Sequence, residues 1–575
     1  MTTWTDNIES DRPPLVLGKC KGGTCMKKKE RPWLKSYPTN VRYHIDYPYR
    51  TLGQMLDDTV AKMPDTLAMI FGDQKITYRQ FGSRVDRFAG ALQDIGILRG
   101  ERVGLMGPNC PQWEIAFFAL LKLGAIVVQT NPMYIEREIA YQMNDSGAKT
   151  IIVLEMLYPR VRNILEETSL ERVVVFNFMS PVEPAEGLYS YDELIKHEPV
   201  YNRVSINPIE DLAVLQYTGG TTGVSKGVML THHNLIANTL QVQEWDPNKE
   251  YGKERILTIL PVFHVYGMTD CMNYAVSLAA TQIILPRFDV DQVLETIRLH
   301  KPTFFPGAPT MFMAMNSHPR IAEYRESLVA IKSCTSGSAP LPLEVAQKFL
   351  EVTHGEGVLV EGYGLSEASP VTHCNPLDRP TRAGSIGLPL PDTDYVMMDL
   401  ETGDREIPFG EIGELCVRGP QVMRGYWEKH LETAETLRNG WLHTGDIGRM
   451  DEDGFCYIID RKKDIIIAGG FNIYPRDIEE ILYEHPKVRE VVVAGVPDHY
   501  RGETVKAYIV LKPNTEANEK EFIAFCKTRM AAFKVPRHVE FRDELPRTIV
   551  GKVLRRKLVE EEKAKLQTAA TTESV

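Results

Sequence analysis

The sequence predicts a large N-terminal α/β domain of layered sheets and helices, joined by a hinge to a smaller α+β C-terminal domain. The chain has 575 residues, more than one hydrophobic core holds, and 43% of them are apolar, enough to fill two or more. From Lys149 onward, short β-branched runs alternate with segments of helical period, the pattern of sheets layered with helices. Beyond about residue 460 the pattern tightens into a succession of ordinary domain size. It reads as strand "DIIIAG", helix "PRDIEEILYEH" with Pro475 in its first turn, strands "EVVVAGV" and "VKAYIVL", helix "EKEFIAFCKTRM" and strand "HVEF".

Along the chain, residues 1–45 read as an N-terminal arm and 46–460 as the large domain. Residues 461–463 read as the hinge, 464–566 as the small domain, and 567–575, the polar "QTAATTESV", as a disordered tail. In the arm, "MKKKERPW" reads as a solvated basic segment, able to touch anionic lipid through Lys27 to Lys29. The apolar run "IAFFALLKLGAIVVQT" from Ile115 is broken by Lys122 and Gly124 and is shorter than the roughly 20 residues of a bilayer span. It reads as a buried helix running into a strand. A net charge of -11 and a pI near 5.8 argue against a nucleic-acid partner, which needs a basic face. The nine cysteines, Cys20 and Cys25 among them, form no disulfide pattern and read as free thiols of a reducing compartment. The N-terminus shows no basic-then-apolar signal, so a cytoplasmic location is expected.

Five predicted strands end in small-residue or turn clusters: "DLAVLQYT" at Gly219-Gly220, "RILTILP" at "VFHVYG", "PTFF" at Pro306-Gly307, "IKSCTSG" at "SAP", and "GVLVEGYG" at "LSEAS". In open α/β sheets ligands lie beyond the carboxyl ends of strands, where glycine admits close backbone approach. One composite small-molecule site is the expectation.

The stretch "YTGGTTGVSKG", Tyr217 to Gly227, is open to three readings. As a Walker loop it fails, because Ser225 precedes Lys226 and no lysine–hydroxyl pair follows its last glycine. As a serine-nucleophile elbow it fits G-x-S-x-G, but the strand ends near Thr218, well before Ser225, and a short strand "GVML" follows before a helix capped by Thr231. A plain turn needs neither the threonine pair nor the lysine. A nest of glycine amides with the hydroxyls of Thr221, Thr222 and Ser225 and the charge of Lys226 would cradle phosphate oxygens.

Together, "YTGGTTGVSKGVMLTHHNL", "EGYGLSEASPVTH", "GELCVRGPQVMRGYW", "GWLHTGDIGRMDEDGFCYIIDRKKDIIIAGGFNIYPRDIEE" and "LPRTIVGKVLRR" resemble, in order, the motifs of the adenylate-forming superfamily, and most closely its bacterial long-chain fatty-acyl-CoA synthetases. The resemblance covers about residues 50 to 565. It implies a two-step reaction. A fatty carboxylate attacks the α-phosphate of ATP to give acyl-AMP and pyrophosphate, and coenzyme A then displaces AMP. Two anions meet in the first step, so the site must supply positive charge and fixed donors.

By that resemblance Lys552 bridges carboxylate and α-phosphate, Glu367 after Ser366 holds magnesium together with Thr221, and His264 stands beside the acyl carboxylate. Nucleotide contacts fall to Thr218, Gly219, Gly220, Thr221, Thr222, Gly223, Ser225 and Lys226, and to Gly337, Ser338 and Ala339. They also fall to Glu361, Gly362, Tyr363 and Gly364, with Tyr363 packed on adenine. Asp446 and Arg461 match ribose contacts, Lys463 the hinge position, and Gly469-Gly470 the pantetheine path of the second step. Tyr266, Gly267, Met268, Gly307 and Ala308 would line the acyl pocket, where small residues leave room for a long chain.

Three positions depart from relatives: Gly219 stands for a serine or threonine, Met268 for a tryptophan gate, and Ile467 for a lysine of the thioester step. The alternatives within the superfamily are an aryl-CoA ligase and a ligase loading a carrier protein; outside it, a hydrolase acting at Ser225 or a nucleotide-binding protein without catalysis. Transient contact with membranes, where fatty acids partition, and a homodimer complete the expectations.

Overall fold

Helix Pro111–Lys122 is the clearest case of sequence dictating place. It is apolar around its whole circumference, with Trp113, Phe117, Phe118 and Leu121 all fully buried, so no face can meet water. It runs into the strand Ile126–Thr130, which is buried along its length, as the sequence predicts. Of its two ionisable residues, Glu114 is fully buried, its carboxyl lifted to about 8 by burial and bonded by Gln282 at 2.8 Å, and Lys122 is 3% exposed at the side chain and is held by Asp57 and, at 2.6 Å, Asp86. A buried ammonium is tolerated only when paired in this way.

The computed structural model describes residues 31–572 apart from 180–181, 219–224, 356–357, 469–470, 499–501 and 549–551. Two large sheets enclose that helix. One orders its eight strands as Gly425–Tyr426, Lys226–Thr231, Leu212–Thr218, Ile126–Thr130, Arg102–Met106, Thr150–Leu154, Arg172–Phe176 and Leu188–Ser190. The other has nine strands, and its middle carries Leu359–Gly364, Ser333–Ser336, Phe304–Gly307 and Arg255–Thr258 side by side and parallel. Their carboxyl ends therefore reach the same edge. Apolar residues of both sheets, among them Val103, Val127, Met69 and Val360, share one core with the helix.

A third sheet joins Asp394–Met398, Gly413–Arg418 and Trp441–Met450, with Cys456–Arg461 paired to the last. A fourth begins at Ile466–Ala468 and contains Val488–Asp498 and Gly502–Leu511, with His538–Phe541 parallel to the latter. Helix Pro475–Tyr483 starts on its proline, and helix Glu519–Lys527 is capped by Asn518. The core of this unit, with Ile478, Val493, Ile509 and Phe522, is separate from the others. Residues 462–465 thus connect the third sheet to the fourth.

At two places the structure differs from the sequence expectation. The segment is docked rather than free: Trp33 is 3% exposed against Tyr395, ring centroids 5.0 Å apart, and Arg31, itself exposed, pairs with Asp394 at 2.7 Å. Gly454, at φ +80°, lies so close beneath that a Cβ there would stand 2.4 Å from the Trp33 Cα. Large apolar area outweighs the basic neighbours, of which Lys27 to Lys29 lie outside the described residues. At the other end, the helix Arg555–Thr572 continues through Gln567. It starts where Leu558 is fully buried, and helix-favouring Ala569 and Ala570 extend it.

The seven described cysteines are free and buried. Among the described residues no helix is long and apolar enough to cross a membrane. Trp33→Ala should lower unfolding stability by about 3–5 kcal/mol, measured by denaturant titration. An unchanged midpoint would show that the arm is no part of the fold.

Candidate active site

The parallel strand ends open on a cleft of about 2340 Å³ whose walls come from both sides of the 462–465 connection. That is well beyond the ~300–1,000 Å³ of a site for a drug-sized ligand. Gly337, Ser338 and Ala339 line it after strand Ser333–Ser336, and Glu361, Gly362, Tyr363 and Gly364 line it from strand Leu359–Gly364. Gly337 packs so closely on Tyr266 that a Cβ would meet the ring at 3.0 Å, and Ser338 adopts φ 70°, a costly backbone state for a non-glycine. At Gly364 a Cβ would stand 2.2 Å from the Pro370 carbonyl oxygen, so only glycine fits. Burial lifts the Glu361 carboxyl to about 7, with Arg476 opposing.

Thr218 and Lys226 face each other across the antiparallel strands Leu212–Thr218 and Lys226–Thr231, and both line the cleft. The Ser225 hydroxyl donates to the Thr218 carbonyl at 2.7 Å, while Tyr141 donates to the Ser225 carbonyl at 2.8 Å. This serine clasps the base of the loop, and its proton is already committed to a backbone oxygen. The next helix, His232–Trp245, is capped by Thr231 as expected. Gly219, Gly220, Thr221, Thr222 and Gly223 lie outside the described residues, as do Gly469 and Gly470.

A chain of polar contacts crosses the floor. Tyr363 donates its hydroxyl to Asp446, and Arg461 pairs with the other oxygen of Asp446 at 3.2 Å. Asp446 and Arg461 are register partners on the strands Trp441–Met450 and Cys456–Arg461, which places them together. Burial and the Asp446 charge push the Tyr363 phenol well above its usual range, so it stays protonated and keeps the bond. Ser366 and Glu367 follow Leu365 in a short 3-10 turn, where Tyr426 donates to one Glu367 oxygen at 2.8 Å. The Lys226 ammonium lies 5.1 Å from the centre of the Tyr426 ring. Tyr426 was missed in the sequence reading, although it sits in the quoted "MRGYW" motif.

His264 and Lys552 come from opposite sides of the cleft. The Tyr266 N–H donates to His264 Nδ1 at 3.3 Å, which leaves the proton on Nε2. Burial, and then the nearby Lys552 charge, lower this imidazole to about 4, so it is neutral at pH 7. Lys552 itself is lowered to about 7, chiefly by burial and then by Arg461, against the pull of Asp446. Its backbone is tied by an exchange with Thr548, N–H to Oγ1 at 3.2 Å and Thr548 N–H to the Lys552 carbonyl at 2.8 Å. Lys463 lines the cleft beside them. Arg555 braces this side, reaching Asp464 at 2.8 Å and Glu479 at 2.7 Å.

Of the predicted pocket residues, Tyr266 lines the cleft, whereas Gly267, Met268, Gly307 and Ala308 are buried behind it. The glycines leave no space there. A Cβ on Gly267 would stand 2.3 Å from the Pro261 carbonyl oxygen, and one on Gly307 would touch Phe312 at 3.0 Å. Met268 takes the Gln129 side-chain N–H on its sulfur at 3.2 Å. Val242, Trp245, Phe304 and Met313 do line the cleft and give it apolar surface. Ile467 is 57% exposed and does not line the cleft.

A family model described as AMP-binding enzyme matches residues 56–427, and one described as AMP-binding enzyme C-terminal domain matches residues 477–552. A long-chain-fatty-acid–CoA ligase of Bacillus subtilis (strain 168) is 47% identical over 557 residues, covering 93% of this chain and 99% of the relative. The protein of the same name from Escherichia coli O6:H1 is 37% identical over 569 residues, covering 94% and 100%. The solved structure of ATP-bound MatB from Rhodopseudomonas palustris matches with a TM-score of 0.81 at 29% identity, covering 89% of this chain and 99% of that one.

With its pKa near 7, Lys552 is a free amine as pH rises through neutrality. An amine-directed acylating reagent should therefore modify it with a half-maximal rate near pH 7, whereas exposed lysines require about pH 10. Peptide mapping reads the profile, and a midpoint near 10 at Lys552 would contradict the cleft as described.

Proposed function

This chain belongs to the AMP-binding enzyme family, and from that premise we propose that it is a long-chain-fatty-acid–CoA ligase. It joins a fatty acid to ATP as acyl-AMP with loss of pyrophosphate, then passes the acyl group to coenzyme A with loss of AMP. The observation that carries this reading is the meeting of Lys552 with His264 in one cleft, close enough for the lysine's charge to depress the imidazole.

In the first step a carboxylate oxygen forms a bond to the α-phosphorus and the bond to pyrophosphate breaks. Both reactants are anions. Lys552, half protonated in the free site, gains a proton as they close on it and places a full charge between them. His264, neutral with its proton on Nε2, offers a directed donor to the carboxylate without repelling Lys552. Tyr363, held by Asp446, presents a ring to the adenine. Asp446 keeps lone pairs for the ribose hydroxyls, and Arg461 fixes its orientation. In the second step the thiolate sulfur bonds to the acyl carbon and AMP leaves. Residues 462–465 would swing Lys552 away, and the site residues of the hinge reading, Lys463 with Gly469 and Gly470, belong to that movement.

The residues fit magnesium. Glu367 lines the cleft with one oxygen taken by Tyr426, and no described group donates to the other. One carboxylate oxygen plus phosphates and waters is what this ion uses, and when bound it neutralises phosphate charge. Thr221, its second expected ligand, lies outside the described residues. The proposal extends to a cytoplasmic enzyme that touches bilayers briefly and pairs as a homodimer. Vesicle sedimentation and light scattering test these last two points.

Pyrophosphate exchange into ATP with a panel of fatty acids, followed by thioester formation, tests the reading. No acid-dependent exchange would sink it, and exchange without a CoA thioester would favour a carrier-protein acceptor. Lys552→Ala should cut adenylation at least about a hundredfold yet still convert preformed acyl-AMP to acyl-CoA; equal loss in both steps would count against the moving hinge. Ser225→Ala should stay within about tenfold of the parent, whereas loss of a nucleophile would abolish turnover.

A further inference from the structure

One carboxyl that borders the cleft has no part in the reaction proposed above. Asp270 is 4% exposed and lines the cleft. Its Oδ1 is sealed from solvent with no partner, and no described group donates a hydrogen bond to either of its oxygens. Asp246, which also lines the cleft, differs: it accepts from the Asn248 N–H at 2.9 Å and the Tyr274 hydroxyl at 3.3 Å. Burial raises Asp270 to about 8, so at neutral pH it carries a proton to donate as well as an oxygen to accept.

Its position is rigid. Asp270 lies in the π-helical turn Gly267–Asn273, a form that recurs at functional sites. The turn is pinned at one end by the contact of Gly267 with the Pro261 carbonyl and beside Asp270 by Thr269, whose hydroxyl donates to the Ser369 carbonyl at 2.6 Å. Asn273, at the far end, buries an amide whose oxygen and nitrogen both lack partners. Native proteins rarely leave buried polar atoms unpaired, and a hydrocarbon tail in the cleft would leave the Asp270 carboxyl so.

We propose that Asp270 is a specificity residue whose side chain hydrogen-bonds a hydroxyl group carried on the acyl chain, so that the site prefers a hydroxy fatty acid to the plain acid of the same length. The inference rests on the acid-activating reading above. A site built around a polar partner discriminates against the analogue lacking it, because its own buried group then goes unpaired.

The test is acid-dependent pyrophosphate exchange with acids of one length, plain or with a single hydroxyl walked along the chain. At one position the hydroxy acid should exceed the plain acid by about tenfold or more in kcat/KM, mostly through KM. Asp270→Leu should erase that preference and raise kcat/KM for the plain acid, and Asp270→Asn should keep part of it. Equal use of plain and hydroxylated acids by the wild-type protein at every position would overturn the inference without needing any variant, and would show that solvent satisfies the carboxyl. A hydroxyl preference that survives in Asp270→Leu would overturn it too. Absence of exchange with every acid would instead overturn the activating reading itself.

Discussion

The site is governed by three cationic side chains held where little water reaches them. Arg461, Lys463 and Lys552 converge on one cleft, and Asp446, the carboxylate between them, is already engaged by Tyr363 and Arg461. Burial first, and the neighbouring charges second, make Lys552 and His264 both hold protons more weakly than they would in water. Two anions would offset such a cluster of cations. On the reading proposed above, the same field that would repel a further cation would draw a triphosphate and a carboxylate together, which is the hardest part of joining them.

The scaffold serves that concentration of charge. Four parallel strands of one sheet deliver their ends to a common edge, and the clasp between Ser225 and Thr218 fixes the base of the phosphate-loop candidate from the other sheet. Lys552 belongs to a unit with its own core, so the charge at the reacting centre depends on how that unit docks. Arg476, whose N–H bonds Asp460 at 2.9 Å, and Arg555, 3.7 Å from the same carboxylate, make the docking contacts specific.

Much of this was readable in the residues. The buried helix Pro111–Lys122, the small domain and its proline-led helix follow from period and turn chemistry, and the strand ends with their glycines foretold one shared site. What could not be read was what fills the space beside each residue. A glycine in a motif looks like a vacancy, yet Gly267 and Gly307 are glycines because backbone or ring already occupies the place of a side chain. Tyr426 was hidden because its partner Glu367 lies far away in sequence. Asp270 was passed over because a missing partner is visible only once the neighbours are placed. Trp33 was misjudged because basic residues close to it in sequence spoke louder than the distant Tyr395.

The tight seating of Gly267 also bears on how such an enzyme can diverge. A lineage taking up a new acid cannot reshape the pocket by enlarging that position, since the Pro261 carbonyl blocks even one added carbon. Change must enter through side chains on the opposite wall, such as Val242, Trp245 and Met313, or through the acid at 270. In this chain the backbone of the turn leaves no space at Gly267, whereas the side chains of Val242, Trp245 and Met313 border the cleft directly.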